Sequence, residues 1–181
     1  MHFKQNLKQL KRQCGITLME IISGLLIMGL VVAGAVSLFG SASSSQNSNQ
    51  MLQDLTAARS AVQGLFRGQG GYGASTNLVP TLNTAKKLPT SWNYNGTTLA
   101  NPMGGTVTIA STAAGTSVDY TITNIPTDVC VALLTQSAVG WNSVQVGTAA
   151  AITSFPISPA TASNATNCAA ASTNTIVFNA S

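Results

Sequence analysis

Charged side chains are scarce in this sequence, and they are unevenly placed. Asp, Glu, Lys and Arg together make up 7% of the 181 residues, against about 25% in an average soluble domain. No charged residue lies between Glu20 and Asp54, and none follows Asp128. The C-terminal third therefore cannot present a surface of ion pairs, and Ser, Thr and Asn have to supply most of its exposed polar groups.

Histidine is almost absent, which restricts the chemistry available to the chain. The one histidine is His2, so nearly the whole chain lacks an imidazole for base catalysis or metal ligation. Asp119 and Asp128 are nine positions apart, but no neighbouring residue supports a catalytic carboxylate pair. The sequence also has no cluster of acids suited to calcium. We therefore expect no catalytic residue, no metal site, no cofactor and no enzymatic activity.

A basic N-terminus precedes a long apolar run. Four basic residues and no acid come before Gly15: Lys4, Lys8, Lys11 and Arg12. The run extends over the 24 residues from Ile16 to Phe39, with Glu20 as its one charge. As a helix it would be about 36 Å long, enough to cross a bilayer core of about 30 Å. A carboxylate there costs on the order of 3 kcal/mol, so Glu20 should have a partner.

The net charge of +4 belongs to the first 15 residues. From residue 16 onward, four basic residues balance four acids. The basic N-terminus predicts that this end faces the cytoplasm. The balanced remainder gives no reason to expect a nucleic-acid partner.

The segment Gly15-Ile16-Thr17-Leu18-Met19-Glu20 resembles the type IV prepilin signal. The resemblance implies that residues 1–15 are a leader, which a prepilin peptidase removes by cutting between Gly15 and Ile16. Ile16 would then be the N-methylated N-terminus, and Glu20 would be the family's assembly glutamate. Many family members begin with Phe, Met, Leu or Trp, so Ile16 is a departure from the usual residue.

Other interpretations of the N-terminus are an ordinary secretory signal and a simple membrane anchor. Ala33-Gly34-Ala35 could mimic a late cleavage site, although a secretory signal has a shorter apolar region. Cys14 does not indicate a lipoprotein, because it precedes the apolar region. Loss of Cys14 with the leader would leave Cys130 and Cys168, which we expect to pair in an oxidising periplasm. The alternative is two unrelated buried thiols.

Apolar residues beyond the run recur at helical spacing. Leu52, Leu55, Val62, Leu65 and Phe66 are separated by three, four and their sums, which predicts an amphipathic helix from about Gln46 to Arg67. We expect one long helix, with residues 16–39 as its transmembrane and filament-core half and residues 40–67 as its amphipathic half. Asp54 and Arg59 are expected on its solvated side.

Residues 68–181 are predicted to form a globular head domain of short strands. Residues 106–109 and 118–122 alternate with period two and predict a hairpin. Residues 144–146 and 175–178 are further strand candidates. Thr127 is expected to cap a short helix that carries Cys130. Residues 78–99 are expected to be irregular, with Trp92 as a packing anchor. The fold class is therefore α+β, a long N-terminal helix packed on an antiparallel sheet.

Two motifs in the head resemble the type IVb pilins. They are the Asn-Pro-Met-Gly-Gly turn at residues 101–105 and the segment Asn124-Ile125-Pro126-Thr127-Asp128-Val129-Cys130, and a second Cys follows near the C-terminus. The resemblance implies the type IV pilin fold and the role of major pilus subunit. It is nearest to the pilins of thin conjugative pili encoded by plasmids and of related enterobacterial pili.

The same resemblance implies the partners and the location. The chain would be an inner-membrane precursor with a cytoplasmic N-terminus and a periplasmic head, and it would assemble with copies of itself into an extracellular pilus. The assembly machinery, a minor pilin or adhesin at the tip, and the surface of a host or recipient cell would be further partners. The pilus would serve attachment and mating-pair contact.

Two related functions are alternatives. A type II secretion pseudopilin shares the leader, but its major subunits usually carry a calcium site where these pilins have the disulfide. A minor pilin or tip adhesin often has a larger C-terminal domain than this chain.

Overall fold

The computed structural model describes residues 17–137, 140–168 and 173–181. Gly15 and Ile16 lie outside these residues. The chain divides into two compact units, Met1–Ser41 and Ala42–Ser181. We call residues 18–41 the stem and residues 42–181 the head, and we describe each by itself.

The first helix, α1 (Leu18–Phe66), contributes to both units. In the stem, each large apolar side chain from Leu18 to Phe39 is between 50% and 80% exposed. An 18-residue window of α1 has a mean hydropathy of 2.4 and no buried residue. By length and composition this helix is able to cross a membrane.

The head portion of α1 buries one face. Met51, Leu55, Ala58 and Val62 are at most 1% exposed, and their spacing of four, three and four places them on one side of the helix. The helix ends at Phe66, where Gln69 N donates to Phe66 O and Gly68 takes a φ of 88°. Glycine adopts this left-handed conformation without a Cβ clash, which lets the chain turn away.

The head contains one six-stranded antiparallel sheet in the order β1-β2-β3-β4-β6-β5. Its strands are β1 (Asn93–Tyr94), β2 (Leu99–Ala100), β3 (Thr106–Ser111), β4 (Val118–Ile125), β5 (Ser143–Val146) and β6 (Asn174–Ala180). Burial alternates along β4 and β6, so one face of each strand joins the core. Tyr120 and Phe178 are among its largest fully buried side chains. The predicted α+β architecture and the predicted β3–β4 hairpin are confirmed.

Among its described residues the head has three shorter helices: α2 (Val79–Thr84), α3 (Thr127–Gln136) and α4 (Pro159–Ala162). Residues 78–99 were expected to be irregular, but they contain α2, β1 and the first residue of β2. Leu78, Val79 and Leu82 are buried, so contact with the core stabilises a helix too short to be evident from its pattern. Trp92 is 4% exposed, which confirms its predicted role as a packing anchor.

The predicted cap of α3 is wrong by one residue. Pro126 holds the N-cap position and makes no side-chain cap hydrogen bond. The Pro126 carbonyl accepts the first helical bond from Cys130 N at 2.8 Å. Thr127 is consequently already inside the first turn.

Candidate functional site

Glu20 lies in the first turn of α1 and is exposed. Its backbone N donates to Thr17 O at 2.9 Å, and its backbone O accepts from Ser23 Oγ at 3.1 Å. Its neighbours Met19 and Ile21 are exposed apolar residues. The stem therefore presents one carboxylate on an apolar helix. Cleavage after Gly15 and methylation of Ile16 fall outside the described residues and stay predictions, as does the assembly role of Glu20.

Asn101 begins the turn at residues 101–105, the first of the two motifs that resembled type IVb pilins, and its side chain joins this turn to β4. This side chain is 5% exposed. Its Oδ1 accepts from Met103 N at 2.9 Å and from Gly105 N at 3.0 Å, and its Nδ2 donates to Thr123 O at 2.9 Å. One buried amide thus satisfies three backbone groups, and it joins the turn after β2 to the end of β4.

A second amide makes the reciprocal contact. Asn124 Nδ2 donates to Met103 O at 2.8 Å. Asn124 has a φ of 61°, and the β4–β6 register shifts between Ile122 and Ile125, as expected for a β-bulge. Gly105 packs against Thr123 so closely that a Cβ at this position would overlap the Thr123 carbonyl. These contacts fix the direction in which the chain leaves β4 and enters α3.

The structure forms a disulfide between Cys130 of α3 and Cys168, which follows α4. Their Cα atoms are 5.8 Å apart, and both residues are at most 3% exposed. The segment before Cys168 has few apolar anchors, of which Ile157 and Ala162 are buried. Hydrogen bonds supply the rest, including Asn167 Nδ2 to Thr161 O at 2.7 Å. The disulfide therefore ties a weakly packed segment to a core helix.

Asp54 was expected to be solvated, and this expectation is wrong. It is half-buried, and its carboxylate accepts a hydrogen bond from Ser91 Oγ. Burial raises the pKa of Asp54, and the Ser91 hydrogen bond opposes the rise. Asp54 follows Met51 by three positions and precedes Ala58 by four, so its place beside the buried face could have been noticed in the sequence.

Arg59 was also expected on the solvated side and is half-buried instead. Its guanidinium carbon lies 5.3 Å from the centre of the Trp141 ring, within cation–π range. Trp141 also packs against Phe178, with ring centres 5.0 Å apart. The missed signal is that Arg59 lies four residues after Leu55 and three before Val62, in the apolar row of the helix.

Within residues 17–137, 140–168 and 173–181, no group of three or more His, Cys, Asp or Glu side chains is placed to hold a metal ion. The acidic side chains lie apart: Asp119 accepts from Asn179 Nδ2 at 2.6 Å, whereas Asp54 accepts from Ser91.

Residues 45–181 match the protein-family model described as PilS N terminal. The chain is similar to the major structural subunit of the bundle-forming pilus of Escherichia coli O111:H-, with 32% identity covering 80% of this chain and 77% of that protein. The same subunit of Escherichia coli O127:H6 is 32% identical, covering 69% of this chain and 65% of that protein. The toxin coregulated pilin of Vibrio cholerae serotype O1 is 35% identical, covering 52% and 42%.

A solved structure shares the fold. The crystal structure of TcpA, a type IV pilin from the Vibrio cholerae El Tor biotype, matches with a TM-score of 0.56. The match covers 75% of this chain and 99% of that one, at 18% sequence identity. At this identity the likeness shows the fold alone.

Proposed function

The chain belongs to the PilS family of type IV pilins, and on that premise we propose that it is the major structural subunit of a type IVb pilus. The subunit polymerises through its N-terminal helix and acts as a building block, not as a catalyst. The major subunits of the bundle-forming pilus, which are similar over most of the chain, support this role.

One observation carries the proposal: the contrast between the stem and the folded head. The head encloses a core of buried side chains, whereas the large apolar residues of the stem are all at least 50% exposed. Such a surface is not stable in water and needs lipid or other protein around it. A membrane-held precursor and a polymer core would supply these two environments in turn.

The precursor stage includes a processing step. We propose that prepilin peptidase cuts between Gly15 and Ile16, that Ile16 becomes the methylated N-terminus, and that the inner-membrane assembly machinery takes up the product. The basic residues before Gly15 support a cytoplasmic N-terminus, with the head in the periplasm. A minor pilin or adhesin at the tip completes the proposed filament.

The finished pilus serves attachment to cells. Mating-pair contact during conjugation is the finer proposal, and it depends on the resemblance of the sequence to pilins of plasmid-encoded thin pili. Attachment and plasmid transfer should be compared in cells with and without the gene. If loss of the gene reduces attachment but leaves plasmid transfer unchanged, the conjugative role is refuted.

Electron microscopy and N-terminal sequencing test the function together. Cells that lack the gene should be bald, and a plasmid copy should restore pili whose subunit begins at Ile16. A Gly15→Ala variant is matched to Gly24→Ala, which lies in open space within the stem. Only the first should accumulate as uncut precursor. A surface protein that begins near Ser37, or that retains Met1, would contradict the prepilin interpretation.

A further inference from the structure

Asp128 is the one exposed carboxylate side chain of the head. The sequence has four acidic residues, and Glu20 belongs to the stem. Asp54 is half-buried against Ser91, and Asp119 is half-buried against Asn179. Asp128 alone of the three in the head is exposed, and no charged residue follows it in the chain. From Asp128 onward, this carboxylate is therefore the one charged side chain that the sequence offers to a partner.

An uncharged row of side chains follows Asp128 along one side of α3. Asp128 lies in the first turn of α3, and Val131, Ala132 and Thr135 follow it at spacings of three, four and seven. These three side chains are partly exposed. Thr135 Oγ1 donates to Val131 O at 2.9 Å, so its hydroxyl is engaged within the helix. We call this row the α3 ridge: one carboxylate at the end of a small, uncharged strip.

A groove lined mainly by small side chains lies on another part of the head. It has a volume of about 460 Å³ and is lined by Ala57, Ser60, Ala61, Gly64, Leu65 and Lys87. A Cβ placed on Gly64 would meet nothing within 4 Å, so the floor of the groove is open. Lys87 is exposed and is the one charged residue in this lining. We call this surface the Lys87 groove.

We propose that the α3 ridge of one subunit docks into the Lys87 groove of a neighbouring copy, with Asp128 paired to Lys87. This inference rests on the proposed polymer. A growing filament joins two different surfaces of the same chain, so the surfaces have to complement each other within one sequence. The ridge and the groove both carry small side chains, which allow helices to approach closely, and each carries one charge of opposite sign.

The pairing fixes the register of the contact. Like charges placed together at an interface weaken it, whereas opposite charges select one alignment. Arg67 and Lys86 are also exposed, but neither lines the groove. The proposal therefore commits to Lys87 as the partner and predicts that Lys86 cannot replace it.

Charge reversal tests the pair in cells. Asp128→Lys and Lys87→Asp should each reduce pilus number tenfold or more, because each places like charges at the contact. The double variant should restore pili to within about threefold of wild type. Lys86→Asp combined with Asp128→Lys is the matched control and should stay bald. Failure of Lys87→Asp to rescue, or rescue by Lys86→Asp, would overturn the assignment.

A second measurement uses the unaltered pilus. A zero-length carbodiimide couples a carboxylate to an amine only where the two are in contact. Sheared pili should give a ladder of linked subunits, with an Asp128–Lys87 peptide in its digest. Wild-type pili that give no such peptide, or that link Asp128 to Lys86, refute this contact and leave the polymer intact. Absence of pili from wild-type cells would instead refute the proposed function.

Discussion

The stem and the head both have few charged residues, but they place their apolar side chains differently. Both have long stretches without charge: in the stem no charged residue follows Glu20, and in the head residues 129–181 contain none. The stem keeps its large apolar residues exposed along a helix. The head buries its apolar residues and ties its polar ones into a network, as Asn101 does with three backbone groups.

The two regions therefore differ in what their stability depends on. The head buries its apolar side chains in a core of its own, so its stability is a property of the single subunit. The backbone of the stem forms helical hydrogen bonds, but its large apolar side chains are exposed. The free energy of the stem therefore depends on whether water, lipid or protein surrounds it. Changes in the stem should consequently alter assembly alone, and changes in the core of the head should alter folding first. Both tryptophans, Trp92 and Trp141, lie in the head, so their fluorescence reports unfolding of the head by itself.

The largest expected effect is that of Glu20→Val. We propose that Glu20 of one subunit pairs with the Ile16 amino group of another, since each charge is costly alone in an apolar environment. The variant should be inserted and cleaved, yet pilus number should fall by at least about tenfold. Counting pili by negative-stain microscopy measures this. The unfolding midpoint of the head should not change.

Ser37→Val is the matched control, because it also makes the stem more apolar but removes no charge. It should assemble normally. Normal numbers and lengths of Glu20→Val pili would show that the pairing is dispensable. A loss of pili in both variants would assign the defect to hydrophobicity.

Cys168→Ser should have the largest effect on the head. The disulfide closes a loop of 38 positions, worth about 3–4 kcal/mol in the chain-entropy model. We expect inserted but unstable subunits and few pili, measured by urea unfolding followed by tryptophan fluorescence. Cys14→Ser, in the predicted leader, is the control and should match wild type. Wild-type stability of Cys168→Ser, or free thiols at both head cysteines in native pili, would contradict the expectation.

Asn101→Ala should weaken the head by a smaller amount. It leaves the Gly105 N–H and the Thr123 carbonyl without their partner, at a cost of about 1–3 kcal/mol. Asn95→Ala is a suitable control, since Asn95 makes similar bonds to Thr97 N and Thr98 N but is exposed. The same urea measurement should separate the two. Equal losses would mean that burial of the amide is not what matters.

Asp54→Asn should give the smallest effect, and it depends on pH. The pKa of Asp54 is raised above its ordinary value of 3.8 because the carboxylate is partly buried. The folded head therefore holds this proton more tightly than the unfolded chain does. The free energy of unfolding should fall as pH rises from the ordinary value through the raised one.

The Asn variant removes this contribution and should flatten the profile, by on the order of a few tenths of a kcal/mol because water screens the half-exposed group. Ser91→Ala should act in the opposite direction, since it removes the hydrogen bond that favours the carboxylate. A steeper profile in Asp54→Asn than in wild type would contradict the assignment.

Local patterns in the sequence predicted the elements that have a clear period. Leu55 and Val62 revealed the buried face of α1, and the alternation from residue 118 to residue 122 revealed β4. The two-residue strands β1 and β2 are too short to show a period, and tertiary contact stabilises them. The apolar spacing predicted the helix, and it also placed Asp54 and Arg59 beside the buried face, a signal that the expectation of a solvated side overlooked.

The sequence showed the two motifs of the head but not the contact between them. The Asn-Pro-Met-Gly-Gly turn and the Asn124 segment were each noticed, but nothing in the sequence said that they touch. The Asn101 amide reaches Thr123, 22 positions away, and such a contact depends on strand register, which local patterns do not fix. The same limit applies to Ser91 and Trp141, whose partners lie 37 and 82 positions earlier in the chain, at Asp54 and Arg59.

The place of β6 in the sheet sets an order of events for a newly made chain. Along the described residues β6 is the last strand, yet it pairs with β4 on one side and β5 on the other. A helix such as the stem can form as soon as its own residues have been synthesised. The sheet cannot join β4 to β5 until residues 174–180 have followed. A nascent subunit that is threaded through a membrane is therefore tethered by its stem well before its head is able to close.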